Sequence, residues 1–455
     1  MDSRLAKLLR FVGVDQAVAY TLVYRLWQLF ANAAVLILIA KSFTKIEQGF
    51  YYLFFSVLSL QVFFELGLTY VLMQFASHES AKLTWTSQGT LEGNATAEAR
   101  LSLLLRFAAR WYGVVALFLV AVLLPGGILF MGRSADAAHA PFWQVSWAGL
   151  VVATAALLFI SLAMAILEGS GRVAEVARVR AVQDIIAYCV FGLALFLGAR
   201  LRATPLLQTT RVVVTLSWLV WSKRAFFMHL IRVEADRKLL SWWDEVWPMQ
   251  WKIALSWISG YFTFQLFTPV LFAFAGAAAA GQMGMSLGIA AAVTTLAMAW
   301  VQTKAPRFGQ LIARREFAEL DRLFFRVLSQ VTGIAASMGL AIWLGVVVLR
   351  AWRISWSDRF LGPAPLGFLL LACCAQVITY AFSVYLRAHK AEPLLACSIA
   401  VAVLTTISTY VLGRAFGAIG IAAGYLCVMA TAGMIWATLV FFSKRRIWHV
   451  ATESP

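Results

Sequence analysis

Residues 16–79 read QAVAYTLVYRLWQLFANAAVLILIAKSFTKIEQGFYYLFFSVLSLQVFFELGLTYVLMQFASHE. An apolar run from Gln16 to Ala40 is followed, after a short polar break, by a second from Phe50 to Met73. Each is longer than the roughly 18 residues that cross a hydrocarbon core of about 30 Å. The first is also longer than a signal-peptide h-region, and no small-residue cleavage pattern follows it. The same alternation of long apolar run and short polar break continues to the end of the 455 residues. With 62% hydrophobic and 13% charged residues, the chain lies far from soluble globular composition.

Reading outward in both directions gives twelve spans: 16–40, 50–73, 107–130, 142–167, 182–199, 204–222, 249–274, 282–301, 324–349, 364–386, 394–413 and 418–442. The fold class expected is all-α, a polytopic membrane protein with about twelve transmembrane helices. The stretch from Ser241, SWWDEVWPMQWK, reads as an interfacial lead-in to the seventh span, with Pro248 in a first helical turn. Pro269 would permit a kink in the outer part of that span.

A net charge of +17 follows the span boundaries, with clusters at Lys223–Lys252, Lys304–Arg326 and Lys444–Arg446. Most of the 38 Lys and Arg fall on the side that holds both termini. By the positive-inside pattern that side is cytoplasmic, and the charge needs no nucleic-acid partner. The five cysteines all lie in apolar segments, without metal-type spacing, and no cofactor is expected. Outer loops are short and their acids, Glu47, Asp136 and Asp358, are scattered. No constellation of paired carboxylates, Ser/His/Asp or Cys/His supports an enzyme.

Twelve spans divide into two six-helix lobes, 1–222 and 244–455, joined by a cytoplasmic connector at 223–243. Sliding the chain on itself brings Gly49 onto Gly281 and the first two spans onto the seventh and eighth. Two halves of equal orientation form a parallel repeat, expected to surround a central cavity. Inside the spans, Arg25, Gln28 and Asn32 share one helical face, and Gln61 and Glu65 stand four residues apart on the next helix. Glu65 is the only clear mid-span carboxylate. Arg25 and Glu65 lie at about equal depth, roughly 13 and 12 Å from the inner end. They form an ion pair that fixes the two spans, or they line the cavity as anion contact and proton carrier. Gln265, Gln302 and Gln376, with Tyr261 and Tyr380, read as helix cross-links, with substrate binding as the alternative.

Four segments together carry a family resemblance: Gln48–Glu79, quoted above; LEGSGRVAEVARVRAVQD, Leu167–Asp184; WVQTKAPRFGQLIARREFAELDRLFFR, Trp300–Arg326; and YLRAHKAEPLL, Tyr385–Leu395. The chain resembles the O-antigen or capsule (Wzx-type) flippases of the multidrug/oligosaccharidyl-lipid/polysaccharide exporter superfamily. The resemblance implies export of an undecaprenyl-diphosphate-linked oligosaccharide across a bacterial inner membrane; whether H⁺ or Na⁺ is a coupling ion is left open by the sequence. It implies that Arg25 meets the diphosphate by forked hydrogen bonds, supported by Lys304 and Arg387 near the inner mouth. The rival reading is a multidrug-type cation antiporter of the same superfamily, which would be expected to need acidic cavity residues.

Overall fold

The computed structural model describes residues 16–236, 239–389 and 391–450. In chain order the helices are α1 (Gln16–Ser42), α2 (Lys45–Leu58), α3 (Leu68–Ser80), α4 (Ala95–Gly132), α5 (Trp143–Gly169), α6 (Val173–Phe196), α7 (Thr204–Ser222) and α8 (Arg224–Arg232). They continue with α9 (Trp247–Phe264), α10 (Phe267–Ala313), α11 (Phe317–Ala351), α12 (Pro363–Ala388), α13 (Leu395–Val428) and α14 (Trp436–Val450). A small antiparallel hairpin, β1 (Leu83–Trp85) and β2 (Leu91–Gly93), joins α3 to α4 and pairs Thr84 with Glu92. The architecture is all-α and polytopic, as the apolar runs require.

Length and composition alone qualify seven helical stretches as membrane spans among the described residues, or eight with the bent pair Lys45–Glu65 and Leu68–Ser80. Two of them are too long for one crossing: Ile253–Ala313 has 61 residues and Leu395–Trp448 has 54. At 1.5 Å per residue these would run about 90 and 80 Å. Each is broken at a glycine in a conformation that only glycine adopts freely, Gly276 (φ 83°, ψ 177°) and Gly417 (φ 60°, ψ −139°). The breaks fall in the two gaps between the expected spans seven and eight, and eleven and twelve. Helices α1 and α7 occupy the places of the expected first and sixth spans.

Two local readings change. The second span is bent by 46°, because Leu66 and Gly67 both take left-handed conformations. The continuous apolar sequence around them gave no sign of a break. The kink expected at Pro269 lies just before it, where α9 ends at Phe264 and α10 begins at Phe267. Pro269 then occupies the first turn of α10, where a missing N–H costs nothing. The lead-in to α9 is a π-helical turn, Trp242–Val246, and Pro248 sits in the first turn of α9.

The chain forms two compact units. The first comprises Met1–Thr44 and Val57–Trp257, the second Lys45–Ser56 and Ile258–Pro455. Residues 223–257 therefore stay with the first unit, and most of α2 joins the second.

In the first unit α5 is central, with 67% of its apolar window buried, against 22% for α4. Leu117, Phe118 and Leu129 on α4 and Phe196 on α6 are highly exposed. Apolar surface of that extent is what hydrocarbon would cover. Asn94 caps α4 by accepting from the Ala97 N–H at 3.0 Å.

In the second unit α12 holds the central place, 56% buried, packed on α10, α11 and α13. Aromatic rings of Phe308, Phe324, Phe382, Tyr385 and Phe441 interlock at one end. There Arg445 forms an ion pair with Asp321 at 2.5 Å.

Candidate functional site

The polar residues singled out in the sequence divide between the units. Arg25 lies within α1, but its side chain falls outside the described residues, so the Arg25–Glu65 pairing remains a proposal. Gln28 is half-buried on the same helix, and Asn32 is exposed. The Asn32 carboxamide oxygen accepts from the Tyr188 hydroxyl at 3.2 Å. Gln61 stands in a 3₁₀ turn, Ser59–Gln61, and Glu65 is the last helical residue before the left-handed Leu66. Both are half-buried.

Because the chain reverses its twist at Leu66–Gly67, Thr69 comes back within reach of Glu65. Its hydroxyl donates to the Glu65 carboxylate and shares a second hydrogen bond, 2.7 Å, with the fully buried Tyr112 hydroxyl. No cation forms an ion pair with Glu65 among the described side chains of the first unit.

The sequence reading missed a second intramembrane charge. Asp184, 3% exposed, pairs with Arg211 at 2.7 Å. Arg211 also donates to the Gln208 side-chain oxygen at 3.1 Å and lies over the Tyr188 ring. Both charges stand near the middle of their helices, α6 and α7. Glu65 is therefore not the sole mid-span carboxylate. The expected start of the fifth span at 182 put Asp184 at a membrane edge, whereas α6 begins at Val173 and carries it about 17 Å along. Through Tyr188 the pair connects to Asn32, so one predicted residue belongs to a network whose other members, Asp184, Arg211, Tyr188 and Gln208, were not predicted.

In the second unit, Lys304 is exposed on α10. Arg387, at the end of α12, holds an exposed ion pair with Glu392 at 2.6 Å.

The second unit also contains a partly open cavity of about 480 Å³. Helices α2, α10, α12 and α13 and the α9–α10 break wall it. Gln376 and Tyr380, one turn apart on α12, face it together, and the Gln376 amide donates to the Tyr380 hydroxyl at 3.1 Å. The Tyr425 hydroxyl reaches the Gln376 amide oxygen at 3.5 Å. Gln265 enters at the helix break, where its backbone carbonyl accepts from the Ser56 hydroxyl. Thr294 and Cys373 contact each other at 3.0 Å.

Tyr52 also lines the wall, and its hydroxyl is buried with no hydrogen-bond partner among the described residues. Its ring packs where Gly284 leaves no side chain in the way. Among the described residues, no charged side chain lines this cavity. Such a site offers hydroxyl and amide groups that both donate and accept, between aromatic faces, with no fixed charge. Gln265, Gln376 and Tyr380, read from sequence as separate cross-links, are thus brought into one site. Tyr261, also named, is buried and does not line it.

No protein-family model matches the chain, and no curated protein matches it in sequence. Among solved structures it is similar to the MATE multidrug transporter DinF-BH, with a TM-score of 0.58 and 13% identity over 95% of this chain and 96% of that one. It is similar to the lipid II flippase MurJ in an inward closed conformation, at 0.56 and 13%, over 96% of this chain and 90% of that one. It is also similar to a MOP superfamily transporter from Pyrococcus furiosus, at 0.54 and 15%, over 97% and 96%. At these identities the likeness is one of fold. The chain has the fold of the MOP-superfamily transporters, an all-α multi-pass membrane fold.

Proposed function

We propose that the protein is a flippase that moves an undecaprenyl-diphosphate-linked oligosaccharide from the cytoplasmic to the periplasmic leaflet of a bacterial inner membrane, by alternating access, in surface polysaccharide biosynthesis. The observation that carries this reading is the uncharged cavity in which the amide and phenol groups of Gln265, Gln376, Tyr380 and Tyr425 stand among largely apolar and aromatic walls. A sugar presents hydroxyls that must both donate and accept, and apolar C–H faces that pack on aromatic rings. Amide and phenol groups meet the first need and the tyrosine and phenylalanine faces the second. An organic cation placed there would gain only cation–π attraction, about 0.5–2 kcal/mol, against the larger cost of burying a charge without a carboxylate. One transporter of the same fold is described as a lipid II flippase.

Within this reading Arg25 contacts the diphosphate, since a guanidinium offers a fork of donors that matches phosphate oxygens. Gln28, Asn32 and Gln61 contribute neutral hydrogen bonds. Lys304 and Arg387 attract the head group. The exposed Arg387–Glu392 pair is weakly held, about 0–1 kcal/mol, so a phosphate can displace the carboxylate. Glu65 takes the part of the coupling site for H⁺ or Na⁺.

Deleting the gene tests the proposal. A lipid-linked oligosaccharide should build up in the inner leaflet, and restoring the gene should clear it. An unchanged lipid-linked pool would refute it. The second reading, a cation antiporter, draws on the Glu65 carboxylate. It predicts instead a gain in sensitivity to organic cations with no change in that pool.

A further inference from the structure

A second concavity, of about 450 Å³, lies in the first unit between α4, α5, α7 and the short helix α8. Its walls are apolar, formed by Leu105, Phe159, Leu216 and Phe227 among others, and two cations, Arg106 and Arg110, stand among them. On α4 these arginines are one turn apart and so share a face. The helix has 38 residues, about 57 Å, so only its central stretch lies in hydrocarbon. The arginines fall where the apolar run of α4 begins, at one membrane surface. Leu216 lies in the last two turns of α7, and Phe159 lies about 15 Å short of the end of α5, so the groove runs from the surface toward the hydrocarbon.

The floor is α8, which buries Phe226 and Leu230 and carries Arg224, His229 and Arg232. Arg106 is held in place by donating to the carbonyls of Ile231 and Val233 at 2.8 and 2.5 Å, at the end of that helix. Arg110 is exposed. The acid two turns before Arg106, Glu98, is already paired with His229 at 2.6 Å. Among the described residues, no carboxylate lines the concavity.

We propose that this groove seats one anionic phospholipid. An acyl chain lies along Leu105, Phe159 and Leu216, and the phosphate rests on Arg110 with the pinned guanidinium of Arg106 behind it. An apolar slot open to hydrocarbon takes a lipid chain of either charge. Two unneutralised arginines at headgroup depth select the anionic one. The seat fastens α8, and through it α4, to the membrane surface.

Native mass spectrometry of the full-length protein in detergent, titrated with phosphatidylglycerol or phosphatidylcholine of the same chains, tests this. Wild type should hold one phosphatidylglycerol more tightly than phosphatidylcholine. Arg110→Ala should reduce that preference on the order of fivefold. Ala163→Trp, which fills the groove without touching charge, should weaken both lipids. Ala163→Met serves as a smaller filler if the tryptophan variant does not insert. Equal affinity for the two lipids would overturn the proposal. So would an Arg110→Ala loss with no effect of either filler, since charge alone would then be acting. Displacement of phosphatidylglycerol by a much lower concentration of undecaprenyl phosphate would reassign the seat to a carrier lipid.

Discussion

In the second unit Gly49 of α2 and Gly281 of α10 lie backbone against backbone. A β-carbon on Gly281 would stand 2.8 Å from the Gly49 nitrogen, and one on Gly49 would strike the Ala277 carbonyl. The Gln48 amide completes the crossing by donating to the Gly281 carbonyl at 2.9 Å. These are the two glycines that coincide when the sequence is slid on itself. Close approach of small residues lets helices associate in a membrane by dispersion and carbonyl contact.

Gly49→Ala should therefore cost about 1–3 kcal/mol, because the obstructing atoms are backbone and cannot rotate away. Gly281→Ala should cost somewhat less. Gly113→Ala, on α4 with nothing within 4 Å of the added carbon, should be neutral or stabilise by about 0.5–1 kcal/mol. Thermal melting in detergent reads all three. Equal, small shifts would remove the crossing as a stabilising feature.

The buried pair Asp184–Arg211 predicts non-additive losses. Asp184→Asn or Arg211→Gln alone leaves an uncompensated charge near mid-span, at a cost of about 3–5 kcal/mol. The double variant should recover a substantial part. A double-mutant cycle on melting temperature checks this, and strict additivity would contradict it.

Arg100 beside Glu245, at 2.5 Å, holds that carboxyl below the usual glutamate range, chiefly through its hydrogen bond. A carboxyl whose folded pKa is depressed stabilises the fold fully above its unfolded pKa, about 4.3, and that stabilisation fades as pH falls through the lower folded value. The melting difference between wild type and Glu245→Gln should thus be present at pH 7 and vanish in acid. A difference independent of pH would assign the effect to packing.

Much of the architecture was legible because apolar run length is a one-dimensional property. The spans around Gly276 and Gly417 were separated correctly by glycine-rich breaks. The bend at Leu66–Gly67 was not legible: FFELGL is apolar on both sides, and one left-handed leucine leaves no compositional mark. Asp184 was lost to a boundary set some nine residues late relative to Val173. The site was legible in parts only. Gln376 and Tyr380 share a face at a spacing of four, but their approach to Gln265, Tyr52 and Tyr425 joins four separate stretches of chain. No periodicity in one sequence reports such a convergence.

Arg25 and Glu65 separate by their assays. If Arg25 meets the diphosphate, Arg25→Lys should insert normally and lose most transport, because charge is kept and the donor fork is not. If Glu65 carries the coupling ion, Glu65→Gln should fold normally and lose the pH or Na⁺ dependence of transport. If the two form a dry ion pair, each single change to Gln should lower folded yield and the double change restore part of it. Melting and transport measured side by side on the same variants decide among them.

The central claim is that the uncharged cavity of the second unit carries the sugar of a lipid-linked substrate. Its most direct test is reconstitution of the purified protein into vesicles with a lipid-linked oligosaccharide. Lectin accessibility then measures how much substrate crosses the bilayer with time. Wild type should accelerate crossing, and Gln376→Leu with Tyr380→Phe should slow it by an order of magnitude or more at unchanged melting temperature. Crossing no faster than in empty vesicles, or unaffected by the double change, would contradict the account.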